Sequence, residues 1–219
     1  CQAWIVDVTG NDRYRGGVVS LGSGVLDVRV LWDLAGDDLY EGEALTEGFG
    51  AFGLGALFDG AGNDTYRLQL YGQGASRTWG VGLLADRAGD DLYQAGGRII
   101  HKPLLEKERA TFGFAQGFSI GYRPDHSGGL AVLWDGAGDD VYIGGTYTQG
   151  ASYWFSFSVL MDDAGNDRYT AFYYSQASAM HLTVAALIDG GGHDIYACHM
   201  GAIHAIGHEW GIALLWDKG

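Results

Sequence analysis

The chain has 219 residues, 47% of them apolar, and a formal net charge of −14 from 27 acidic and 13 basic side chains. That balance excludes a nucleic-acid footprint, which needs a basic stripe, while the apolar fraction suffices for a substantial core. No apolar run reaches the roughly 18 residues of a membrane span, the opening residues lack the charged start of a signal peptide, and two cysteines, Cys1 and Cys198, make no disulfide framework.

Asp7 opens the first copy of a short pattern, apolar-Asp-x-x-Gly-[Asn/Asp/His]-Asp-x-Tyr. It recurs from Asp33, Asp59, Asp86, Asp135, Asp162 and Asp189, and a further copy begins at Asp217. The spacings are 26, 26, 27, 49, 27, 27 and 28 residues. A period in this range predicts a solenoid, in which each repeat buries its apolar face only by stacking on its neighbours. The expected fold is all-β: a parallel β-helix (β-solenoid) of about seven to eight coils, one of them with a loop insertion. Residues 1–219 then form a single elongated domain.

Within the unit from Asp59 to Ala85, Asp59-Gly60-Ala61-Gly62 carries the residues of a tight turn. Asn63-Asp64 continues the bend, since both types bond to nearby backbone. An extended stretch is expected from Tyr66 to about Tyr71, a second corner at Gln73-Gly74-Ala75, and a returning strand over Thr78 to Ala85. No segment has helical periodicity over the usual ten or more residues. Stacked coils produce columns. Leu31, Leu57, Leu84, Leu133, Leu160, Leu187 and Leu215 read as core. Tyr14, Tyr40, Tyr66, Tyr93, Tyr142, Tyr169 and Tyr196 can stack on one another. Gln73, Gln116, Gln149 and Gln176, with Glu47 and His204 in the equivalent place, are expected to form amide ladders along the axis. Only two prolines occur, as expected where every strand donates to the next coil.

Of the 21 aspartates, only Asp27 and Asp125 lie outside the motif. Stacking lines the others up in columns, and two carboxylates about 4.8 Å apart repel by roughly 0.9 kcal/mol even in bulk water. Two compensations are open: each Asp accepts backbone N–H bonds at its own turn, or divalent cations sit between coils. Calcium suits flexible oxygen cages of carboxylates and carbonyls.

The run Asp59-Gly60-Ala61-Gly62-Asn63-Asp64-Thr65-Tyr66 resembles the calcium-binding nonapeptide of RTX (repeats-in-toxin) proteins, Gly-Gly-x-Gly-x-Asp-x-apolar-x. The resemblance implies calcium held between successive turns by the Asp and by glycine carbonyls, with Asp64 and its column equivalents as the main side-chain ligands. It covers about a third of each coil, and Asp replaces the first Gly of the pattern in every copy. The expected metal set is Asp12, Asp33, Asp38, Asp59, Asp64, Asp86, Asp91, Asp135, Asp140, Asp162, Asp167, Asp189 and Asp194, with calcium as the cofactor.

The 49-residue spacing holds one coil plus 22 further residues, placed as insertions at about 97–111 and 123–128. These carry His101, Lys102, Lys107, Arg109, Arg123 and His126, a candidate docking set for a protein or glycan, since solenoid insertions emerge as loops on one face. His193, His199, His204 and His208, with His181 one coil back, crowd one end, but their spacings match no standard zinc signature. Both termini fall mid-repeat without a recognisable cap, which predicts a segment of a longer array, or another subunit, at each end.

Three functions follow as expectations. The first is a non-enzymatic, calcium-stiffened scaffold, spacer or docking surface, extracellular, cell-surface or periplasmic. The second is a polysaccharide-binding or polysaccharide-degrading β-helix with its site near the insertions. The third, ice binding, needs a flat array of Thr, and the nine Thr present form no column.

Overall fold

The computed structural model describes residues 2–102, 110–200 and 204–219. Among them there is no helix, and every extended sheet is parallel. Each coil runs along three sides. The first belongs to an eight-stranded sheet that starts at Gln2–Val6 and ends at Ile212–Asp217. After the aspartate turn, the chain enters a seven-stranded sheet, which includes Thr65–Leu70 and Leu92–Ala95. A second corner leads to two-residue strands such as Ser76–Arg77, which form another seven-stranded sheet.

Register along the eight-stranded sheet is the same in every coil. Leu54–Phe58 pairs with Val28–Trp32 on one side and Val81–Ala85 on the other, which places Leu31, Leu57 and Leu84 opposite one another. Val81–Ala85 in turn pairs directly with Leu130–Asp135, so the 49-residue interval advances the solenoid by a single coil. The Leu column from Leu31 to Leu187 is completely buried, each side chain contributing roughly 1.5–3 kcal/mol. The tyrosines stack face to face: Tyr40–Tyr66, Tyr66–Tyr93 and Tyr93–Tyr142 each have ring centroids 4.8 Å apart and planes within 4°. Leu and Tyr columns together make the main core.

Two local expectations change. The returning strand begins at Val81, after a corner in which Trp79 takes a left-handed φ of 50°. The glutamines form no side-chain ladder. Gln73 Nε2 donates to the carbonyls of Tyr66 (3.1 Å) and Gln94 (3.2 Å), and Gln116, Gln149 and Gln176 repeat this on their own coils. A buried carbonyl left without a donor costs about 1–3 kcal/mol, so carbonyls take the amide protons, and each Gln ties its coil to the next. The corner is tight: Gln73 and Gly74 have φ of 50° and 71°, and a Cβ on Gly74 would lie 1.9 Å from the Val132 carbonyl oxygen.

Candidate metal centre

The two aspartates of each motif have different partners. The first caps its own turn. Asp59 Oδ1 accepts the Ala61 N–H at 3.2 Å, and Asp33, Asp86, Asp135, Asp162 and Asp189 do the same. Its second oxygen accepts a phenol from the preceding coil: Tyr40 O–H to Asp59 (2.6 Å), Tyr66 to Asp86 (2.6 Å), Tyr93 to Asp135 (2.6 Å) and Tyr142 to Asp162 (2.8 Å). Burial raises the pKa of these phenols well above 10, so they remain donors.

The second aspartate accepts from the preceding coil's backbone. The N–H of Asp38 donates to Asp64 Oδ1, that of Asp64 to Asp91 and that of Asp91 to Asp140, at 2.6–2.7 Å. Asp12, Asp140 and Asp167 continue the ladder to Asp38, Asp167 and Asp194. One residue earlier, Asn11, Asp37, Asn63, Asp90, Asp139, Asn166 and His193 form an exposed ladder running the other way, each side-chain oxygen accepting the N–H of the next coil.

The motif glycine makes this stacking possible. A Cβ on Gly62 would lie 1.6 Å from the Gly36 carbonyl oxygen, because the carbonyl of one coil packs on the glycine Cα of the next. The side-chain oxygens that face one another between coils are those of the carboxylates.

The remaining oxygen of the second aspartate, Oδ2 of Asp38, Asp64, Asp91, Asp140, Asp167 and Asp194, is buried without a hydrogen-bond partner. Around it the carboxylates converge: Asp38, Asp59 and Asp64, then Asp64, Asp86 and Asp91, then Asp91, Asp135 and Asp140, each trio with oxygens within 4.8 Å of one another. Asp7, Asp12 and Asp33 form another such group. Burial pushes Asp64, Asp91, Asp140 and Asp167 above the usual carboxylate range, and the charge on the first aspartate of the same turn pushes them further. Asp59, Asp86, Asp135, Asp162 and Asp189 are also raised by burial, against the lowering effect of their tyrosine bonds. Such a row is unstable as a set of bare anions. It fits an oxygen-seeking cation, whose charge would satisfy the orphaned Oδ2 atoms, or a proton on the carboxyls that burial raises, Asp38, Asp64, Asp91, Asp140 and Asp167.

Glu47 occupies the first described position of the glutamine column that carries a buried acid. Both its oxygens are buried, and burial lifts its pKa to about 8.

Among the described residues, the candidate docking set falls in two places. The segment leading to 101–102 follows the strand Leu92–Ala95, before Phe112–Ala115 and the Gln116 corner, whereas 123–128 lies between Ser119–Ile120 and Leu130–Asp135. His101 packs on Phe112, with ring centroids 4.5 Å apart, and burial lowers its pKa. Lys102 is exposed; Lys107 and Arg109 lie outside the described residues. Arg123 sits over the Trp154 ring at 5.1 Å and His126 packs on Trp79 at 5.6 Å. At the histidine-rich end, His181, His208 and Glu209 bring ligand atoms within 4.8 Å, and His181 Nδ1 bonds Glu209. Arg123 also approaches His181 Nε2 at 3.4 Å.

Residues at the third corner escaped the sequence reading: Phe52, Trp79, Phe155 and Trp210 are exposed there, all with left-handed φ. Their signal is a large apolar residue seven positions before the motif aspartate, repeated at Leu26 and Leu182 and replaced by Gly128 before Asp135. No family model, curated protein or solved structure matches this chain.

Proposed function

We propose that this chain is a structural β-solenoid whose buried aspartate column takes up divalent cations, calcium being the best suited, and that it serves as a stiff scaffold or spacer. The observation that carries this reading is the row of buried Oδ2 atoms without partners, each beside further carboxylates of its own and the neighbouring coil. The donor set is all oxygen and anionic, which suits calcium and excludes soft thiolate-seeking metals. Asp38, Asp59, Asp64, Asp86, Asp91, Asp135 and Asp140 would hold the ions of the central coils, with Asp12, Asp33, Asp162, Asp167, Asp189 and Asp194 continuing the column. A bound cation would supply the charge that stacked carboxylates lack and tie coil to coil. An extracellular, cell-surface or periplasmic location accords with it, since millimolar calcium saturates even weak cages. Acidic residues recur in every coil, as a structural element does. The test is calcium content after dialysis, by elemental analysis, against a variant with Asn at Asp64, Asp91 and Asp140. Retained calcium in the wild type and its loss in the variant support the reading; a metal-free wild type that gives no calcium-binding heat overturns it.

Glycan recognition has one observation in its favour. A cavity of about 400 Å³ lies beside the second insertion, lined by Phe52, Arg77, Tyr122 and His126 among others. Binding on a glycan array that disappears in Tyr122→Ala would support it.

A further inference from the structure

The outer face of the eight-stranded sheet is apolar from end to end. Burial alternates along its strands, as in Leu130–Asp135, where Ala131, Leu133 and Asp135 point inward and Leu130, Val132 and Trp134 outward. The same three outward positions in the other seven strands hold only Val, Leu, Ile, Ala, Phe, Met or Trp, apart from Gln2. Among the described residues, none of these outward strand positions is charged, in a chain with net charge −14; the Asp163 carboxylate stands at the rim, where it accepts the Trp134 indole N–H at 3.0 Å. The neighbouring sheet is ordinary by contrast: its outward residues include Arg13, Arg15, Glu41, Arg67 and Arg168.

Eight strands about 4.8 Å apart and about 17 Å long give a planar footprint of roughly 600 Å². That stands at the upper end of the roughly 300–600 Å² of the largest apolar patch on a monomer. With side-chain relief, it approaches the roughly 800 Å² that each partner contributes to a stable interface. We propose that a second copy of this chain covers the face, the two sheets packing face to face at about 10 Å. The charge distribution favours a copy over an anionic lipid surface. The outward strand positions of two such faces meet as apolar side chains, with the rim carboxylate of Asp163 held by the Trp134 indole, whereas the net charge of −14 opposes approach to anionic lipid.

The test is the mass in solution by sedimentation or light scattering at about 50 μM, where interfaces of this size are populated. The expected wild-type mass is twice 23.4 kDa. Leu83→Lys, which sets a charge in the middle of the face, should give 23.4 kDa with unchanged circular dichroism, while Thr65→Lys on the neighbouring sheet should keep the dimer. If Leu83→Lys does not fold, radical footprinting of the wild type decides: the Trp32 and Trp134 indoles should be protected at high concentration and exposed on dilution. A wild type that is monomeric at 50 μM overturns the proposal, as does a monomer that co-sediments with phosphatidylcholine vesicles, which would assign the face to lipid.

Discussion

The phenolic oxygen of Tyr66 lies 2.6 Å from Oδ2 of Asp86, one coil further on, while Asp86 Oδ1 holds its own turn through the Ala88 N–H. One carboxylate thus closes a corner and anchors the tyrosine stack of the coil before it. Removing the hydroxyl leaves a buried carboxylate oxygen without its donor. Tyr66→Phe should therefore keep the ring stack but lose about 1–3 kcal/mol, measured by urea unfolding.

Gly62 tests the close approach of coils. Its missing Cβ leaves room for the Gly36 carbonyl, which cannot retreat without breaking the ladder. Gly62→Ala should cost more than about 4 kcal/mol. Gly17→Ala is the control, because nothing lies within 4 Å of a Cβ there; it should melt like the wild type in a thermal scan.

Glu47 sits where other coils carry Gln, and its pKa is lifted to about 8 by burial. A raised folded-state pKa means that folding takes up a proton. The stability this group contributes is present below about pH 4.3, its unfolded value, and is lost as pH rises toward 8. Glu47→Gln should match the wild type at pH 4 and exceed it above pH 8, by chemical denaturation at both.

Asp91 faces Asp86 and the carboxylates of two neighbouring coils. Asn keeps the oxygen that accepts the Asp64 N–H and puts an amide donor where Oδ2 stands. In chelator at neutral pH, Asp91→Asn should be more stable than the wild type, and the gain on adding calcium should shrink. Thermal melts of both proteins, with and without calcium, check both halves.

The Leu57 and Tyr66 columns are legible in the sequence because one residue type recurs at one position in every coil. Period alone places them opposite each other. The division of labour between Asp59 and Asp64 is not legible, since both are aspartates of one turn. Only the stacked backbone shows that the first oxygen pair is used by Ala61 and Tyr40 and that one oxygen of Asp64 is left over. Gln73 departs from the expected amide ladder because its left-handed φ turns the amide onto carbonyls, and side-chain direction at such a corner has no sequence signature. The outward row Leu130, Val132, Trp134 is hidden for a related reason. A strand apolar on both sides reads as one buried on both sides, and no periodicity tells which side the chain itself covers.

The central claim is that the aspartate column needs either protons or cations, and thermal unfolding across pH with and without calcium tests it most directly. The raised carboxylates bind protons in the folded state that the unfolded chain releases above about pH 4. In chelator, the melting temperature should therefore be highest near pH 4–5 and fall as pH rises through neutrality. Calcium should restore it at pH 7.5, adding about 2.7 kcal/mol at a hundred times the dissociation constant. A chelated protein whose stability rises from pH 4 to 7.5, and which does not respond to calcium, would contradict the account.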